Sequence, residues 1–243
     1  CATRQPYTSD PGSCGVLAWT REETRDFIQY VNNNDNQCTA HAVGDLAVEF
    51  MVEGYEHALS VHPRKPEEHR HRIEHCGTDD QDMIDRMAKM GIIPCVNSHF
   101  FPFNGHSYIR NFGERVEWLY ALRSMIDAGL RPCLACDAPS APTSILMGLD
   151  GAVNRKDRKT GEVVGASQRV SLEEAIRCYT INAAYASFED DIKGSIELGK
   201  LADFTVFDRD ILSMDPEQIR EARVDMTVIG GEIVYCTHPL TSV

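Results

Sequence analysis

Gln37-Cys-Thr-Ala-His-Ala42 runs at once into Asp45-Leu-Ala-Val-Glu-Phe-Met-Val-Glu-Gly-Tyr-Glu-His-Ala-Leu59. The first run is short, partly apolar and suited to a buried strand. In the second, Leu46, Phe50, Tyr55 and Leu59 lie on a rough helical stripe, so the pair reads as one strand–helix unit. The same pattern recurs three times downstream. His71 to Cys76 (HRIEHC) precedes a helix over Asp79 to Met90, where Met83, Ile84, Met87 and Met90 form a core-packing stripe. Ile92 to Asn97 (IIPCVN) precedes, after a longer tract, a helix over Val116 to Ala128 that Gly129 ends. Pro132 to Asp137 (PCLACD) precedes a Pro-rich turn and the apolar stretch Thr143 to Val153. The first two strands are weak on composition; the alternation carries them. Strands joined through helices by short links predict an α/β fold with a parallel sheet.

Asn154 to Arg169 is polar and reads as a surface hairpin or loop. Ser171-Leu-Glu-Glu174 is a capping box that opens a helix reaching about Ala186. The chain then becomes β-rich over Leu201 to Asp208, Val224 to Ile229 and Glu232 to Tyr235, with Gly230-Gly231 marking a tight hairpin. Two regions are expected, an α/β body over 1–198 and a small β appendage over 199–243.

The 243 residues are enough for a sizeable core, and 42% apolar with 25% charged residues is ordinary for a globular chain. Twenty-four Lys and Arg against 37 Asp and Glu give a net charge of −13, which argues against nucleic acid or an anionic membrane as partner. There is no long apolar run and no signal-peptide pattern, so a cytoplasmic location is expected. Nine scattered cysteines fit reduced, mostly buried thiols. Cys133 and Cys136 have zinc-ribbon spacing, but residues three apart on a strand diverge, and no second such pair exists. The chain starts with Cys1 rather than Met, so either it was processed or it begins partway into something longer.

His41, His75 and Asp137 each fall at the C-terminal end of an expected strand, where parallel α/β folds place their active sites. Two imidazoles and a carboxylate there suit a divalent metal such as zinc. The carboxylate would ligate the ion or take a proton from water acidified by it. The alternative is three unrelated buried polar groups. His69 and His71 form a His-x-His pair at the opposite end of their strand. His71 would lie about 13 Å from His75, too far to share an ion, so packing at the bottom of the fold is expected. Asp45 would cap or anchor the helix after the first strand, and Arg123 would be structural. His99 follows a strand end and either lines a substrate pocket or sits in a solvated loop. The tract from His99 to Arg115 reads as a pocket wall or lid.

HAVGD at 41–45, RIEHC at 72–76, CDAP at 136–139, YTINAAYASFED at 179–190 and KGSIELGKLADFTVFD at 193–208 together resemble the C-terminal half of the amidohydrolase superfamily. The resemblance is to amidohydrolase family 3, the YtcJ-like metal-dependent hydrolases, and spans about Pro6 to Tyr235. It implies a distorted (β/α)8 barrel of TIM type beside a small β-sandwich. This chain would supply strands 5–8 of the barrel with its capping helix, and the C-terminal strands of the sandwich. It implies hydrolysis of a non-peptide, amide-type C–N bond in a small molecule by water activated on one or two divalent metals, usually Zn2+. His41 matches the metal-binding histidine of strand 5, and His75 that of strand 6. Asp137 matches the strand-8 aspartate that passes the water's proton to the leaving amine.

The family's first-strand His-x-His and fourth-strand bridging residue have no counterpart, because residues 1–36 contain no His and no Lys. Four strand–helix units are half a barrel, with two unpaired sheet edges. The expectation is therefore an enzyme whose N-terminal half-barrel lies in the same or another chain. The rival expectation is a fragment inactive on its own. A distant third is an iron(II) oxygenase with a two-histidine, one-carboxylate site. A homo-oligomer stays open.

Overall fold

The structure is a computed structural model, and it describes residues 1–237. Four strands form a wholly parallel sheet: β1 (Thr39–Ala42), β2 (Arg72–His75), β3 (Ile93–Val96) and β4 (Cys133–Leu134), in spatial order β1-β2-β3-β4. Sequential order with parallel pairing requires each connection to cross back over the sheet, and the helices make those crossings. They are α2 (Asp45–Val61), α3 (Pro66–His69), α4 (Gln81–Met90), α5 (Phe100–Phe112), α6 (Leu122–Asp127) and α7 (Ile145–Val153). Ahead of β1 lies α1 (Arg21–Asn33), whose Thr20–Glu23 capping box fixes its start. Behind the sheet, α2, β2 and α4 bury Val48, Val52, Tyr55, Ile73, Met83, Ile84 and Met87 together. The methionine stripe is core, as its spacing predicts.

One tract is helical without having been expected so, and two expected helices are interrupted. The tract from His99 to Arg115 is helix α5 followed by a 3₁₀ turn, Gly113–Trp118. Phe101, Tyr108 and Phe112 share one face and contact one another edge to face, with Tyr120 beside them. Pro102 lies in the first turn, where its missing N–H costs nothing. The helix expected over Val116 to Ala128 is broken at Leu119 and Tyr120. There the backbone bridges to Thr78, the Tyr120 N–H donates to Gly77 O (2.9 Å), and Tyr120 adopts φ +47°. The helix after Ser171 splits at Thr180 into α8 (Leu172–Tyr179) and α9 (Ile181–Ala186).

The polar stretch over 154–169 is a hairpin, with Lys156 bridging Val163, but two of its charges are buried. Arg155 donates to the carbonyls of Val164, Tyr120 and Leu119 and lies 3.9 Å over the Phe101 ring. Asp157 accepts from the backbone N–H groups of His106, Lys159 and Thr160.

After α9 the chain enters a second, antiparallel sheet of β5 (Phe204–Phe207), β6 (Val224–Ile229) and β7 (Glu232–Cys236), in order β5-β6-β7. Gly230 and Gly231 make its tight turn with φ +58° and +84°. Residues 238–243 of the expected appendage lie outside the described residues. No described helix is long and apolar enough to cross a membrane.

Candidate metal centre

Parallel register sets the site. Across the sheet His41 pairs with Glu74, Glu74 with Cys95 and Cys95 with Cys133, so these residues form one row on one face. Thr39 Oγ donates to Glu74 (2.6 Å), and Arg72 pairs with Glu74 at 2.8 Å. His75, the last residue of β2, breaks the alternation. It takes φ +68°, and Cys76 after it φ +47°, both in the left-handed region that non-glycine residues avoid. The turn brings the His75 ring to 4.3 Å from that of His41, edge to face.

His75 is buried, whereas His41 and Asp137 are exposed. Burial pushes the His75 pKa down; the neighbouring His41 lowers it further, and the Asp137 carboxylate opposes both. The neutral imidazole so favoured is the form that ligates metal. His75 Nδ1 is buried and has no hydrogen-bond partner, which is uncommon for a native polar atom. Two imidazoles, one holding an unpartnered nitrogen, with a carboxylate acting on it, fit the donor chemistry of a zinc-like divalent ion. Among the described residues no three His, Cys, Asp or Glu side chains stand close enough to hold an ion. Thus His41 and His75 are brought together, while Asp137 is felt through its charge. Asp137 also has φ +58°.

The remaining candidates have structural partners. His71 Nδ1 accepts from the Cys38 N–H (3.0 Å), and its Nε2 meets Asn32 Oδ1 (3.1 Å). His69 Nδ1 accepts from the His71 N–H, and its Nε2 donates to Met90 O. Both rings are buried packing groups. Asp45 is the first residue of α2 rather than its cap, and its carboxylate anchors the Arg4 backbone and guanidinium. Arg123 is tied to Glu174 and Asp127. Cys133 is buried, while Cys136 is half-buried.

His99 is 1% exposed, so it is not in a solvated loop. Its Nε2 donates to Ser144 O (3.0 Å), and its Nδ1 lies 3.1 Å from the Tyr179 hydroxyl. Sequence reasoning singled out neither Tyr179 nor Asn97. Asn97 lies just past β3, where the logic that found His41 and His75 applies equally, and its Nδ2 donates to Ala135 O (3.2 Å). Tyr179 has no such signal, because its role depends on how α8 docks. A cavity of about 710 Å3 between α7, α8 and the second sheet includes Tyr179 but none of the three strand-end residues.

The family model described as "Amidohydrolase family" matches residues 2–235. The Bacillus subtilis (strain 168) protein YtcJ, assigned as an amidohydrolase, is 31% identical over 96% of this chain and 44% of its own length. N-substituted formamide deformylase of Arthrobacter pascens is 30% identical over 91% of this chain and 40% of its own. In three dimensions, an uncharacterized metal-dependent hydrolase of Pyrococcus horikoshii superposes with TM-score 0.76 and 25% identity, covering 89% of this chain and 43% of the other. The chain spans less than half the length of these relatives. With a match that runs from Ala2 to Tyr235, the chain belongs to the amidohydrolase family.

Proposed function

We propose that this chain carries the last four strand–helix units of a barrel-type metal-dependent hydrolase over 1–198, with strands of its β-sandwich over 199–243. It would act on an amide-type, non-peptide C–N bond of a small molecule. The observation that carries the reading is the His41–His75 ring contact at 4.3 Å with His75 Nδ1 buried and unpartnered. The deformylase relative, whose named substrates are amides, supports the bond type. Among the described residues β1 and β4 each have only one strand neighbour, which supports a sheet that continues on both sides.

A bound divalent ion, zinc in this reading, supplies Lewis-acid polarisation of the scissile carbonyl and acidifies water. His41, His75 and the Asp137 carboxylate would hold it, with further ligands from the other half of the barrel. Asp137, exposed three residues past β4, takes the proton of the attacking water and returns it to the departing amine nitrogen.

The test uses the complete polypeptide. His41→Ala and His75→Ala should each weaken zinc binding at least ~10-fold. Asp137→Asn should keep the fold and lower hydrolysis of its substrate ~100-fold or more, whether that substrate is an N-substituted formamide or another amide. Wild-type zinc affinity in both histidine variants, or full turnover without the Asp137 carboxylate, refutes the reading.

A further inference from the structure

We infer that His99 and Tyr179 are a positioning pair that fixes the loop carrying Asp137, an inference that rests on the role given to Asp137 above. Ser144 O is a backbone carbonyl and can only accept, so the His99 proton sits on Nε2. His99 Nδ1 is then the acceptor, and the Tyr179 hydroxyl donates to it. One tautomer and one hydroxyl direction follow. The ring is buried and has no free polar atom left for a substrate.

The loop in question runs from Asp137 to Ser144. The chain entering it is held from just past β3, where Asn97 Nδ2 donates to Ala135 O (3.2 Å). Its end is held from the same segment, where His99 donates to Ser144 O (3.0 Å). Ser144 O also receives the N–H groups of Met147 and Gly148, so the His99 bond sits on the first turn of α7. Between the two clamps the Ser140 N–H donates to Asp137 O (2.7 Å) and closes a turn. Asp137 is exposed with φ +58°, so the backbone of this clamped loop sets the direction of its carboxylate.

The pair also dictates Gly148. A Cβ there would lie 1.8 Å from the Tyr179 hydroxyl oxygen and 2.4 Å from His99 Cε1. Ser98 Oγ donates to Gly148 O (2.7 Å) on the same side. The helix after Asp137 therefore seats directly on the His99–Tyr179 contact, and only a glycine permits that approach. Tyr179 belongs to α8, so the pair joins three segments: the end of β3, the Asp137 loop with α7, and α8.

The experiment uses the complete polypeptide in three variants. Tyr179→Phe deletes one hydroxyl, His99→Leu deletes both polar contacts, and His99→Gln keeps an amide N–H where Nε2 stood. Amide hydrogen exchange of the metal-free protein reads the loop directly. Exchange over 137–148 should rise at least ~10-fold in His99→Leu and severalfold in Tyr179→Phe, with β1 and α2 unchanged. His99→Gln should return most of the protection. Zinc affinity, read with zinc alone against a competing chelator, should fall ~10-fold in His99→Leu and stay near wild type in His99→Gln. If Tyr179→Phe and His99→Leu both protect the loop like wild type, the pairing is refuted. Equal loosening by Gln and Leu refutes the Ser144 contact. A loosened loop with wild-type zinc affinity refutes its link to the site. Should His99→Leu not fold, the Tyr179→Phe exchange decides. His75→Ala and Asp137→Ala test the metal reading separately: wild-type zinc affinity in both ends that reading and leaves the exchange result standing.

Discussion

The buried histidines at the far end of β2 make stability a steep function of acidity. Each imidazole is locked in one neutral tautomer. Asn32 Nδ2 already donates to the carbonyls of Ala58 and His62, so Asn32 Oδ1 is an acceptor and His71 carries its proton on Nε2. His71 Nδ1 is filled by the Cys38 N–H, and His69 Nδ1 by the His71 N–H. A second proton on either ring would therefore face a donor instead of an acceptor. Desolvation pushes His69 down to about 4; it pushes His71 to about 3, with help from the nearby His69. Both folded values lie below the ordinary 6.5. The unfolded chain thus binds more protons between the two, and stability is full above pH 6.5 and is lost as pH falls. At about pH 5 both folded rings are still neutral while the unfolded ones are charged. Each then costs RT ln(1 + 10^1.5), about 2 kcal/mol, and the pair about 4 kcal/mol relative to about pH 7.5. The result depends on the unfolded value, because pH 5 lies well above both folded ones. Urea unfolding followed by far-UV circular dichroism at the two pH values measures the drop. His71→Asn keeps an acceptor for the Cys38 N–H and removes one titrating ring. It should be less stable at about pH 7.5 yet lose about 2 kcal/mol less than wild type on acidification. Equal losses in the two proteins would refute the assignment of the slope to these rings.

Two further outcomes follow from packing. Arg155→Met keeps the stem over Phe101 but strips the carbonyls of Leu119, Tyr120 and Val164 of their donor, and should cost about 3 kcal/mol or more in urea unfolding. Gly44→Ala would put a Cβ 1.8 Å from Ala2 O; the clash should displace the segment over 1–15, raise its protease cleavage and cost about 1–3 kcal/mol.

The parallel sheet was legible because strand-like and helical patterns alternate four times along the chain, and the second unit carries its own start and stop signals. Asp80 caps α4, and Gly91 ends it at φ +69°. The tract after His99 was not legible in the same way. Phe-Pro-Phe and two glycines look like loop, and only the packing of Phe101, Tyr108 and Phe112 makes it helix. The break at Tyr120 was equally hidden. A helix over 116–128 satisfies local propensity, but Arg155, 35 residues away along the chain, takes the Tyr120 carbonyl. Long-range polar contacts of this kind leave no periodicity in the sequence.

The site was legible to the level of strand ends and no further. Position alone puts His41, His75 and Asp137 at one end of the sheet. Alternation alone would then point His41 and His75 to opposite faces, because β1 pairs His41 with Glu74 and not with His75. The ring contact exists only because His75 and Cys76 leave the β region for positive φ. Asp137 likewise takes positive φ, three residues past the end of β4. Such backbone costs about 1–3 kcal/mol per residue and persists only where surrounding contacts over-determine it. Those contacts are on hand. Gly77 O and the Thr78 bridge hold the turn after Cys76, and Asn97 and His99 hold the loop after Asp137. A fold with no use for converging side chains would gain by relaxing both turns into ordinary β geometry. Two strained turns, each separately clamped, one bringing His75 onto His41 and the other carrying the carboxylate whose charge acts on His75, are what the proposed shared ligand requires.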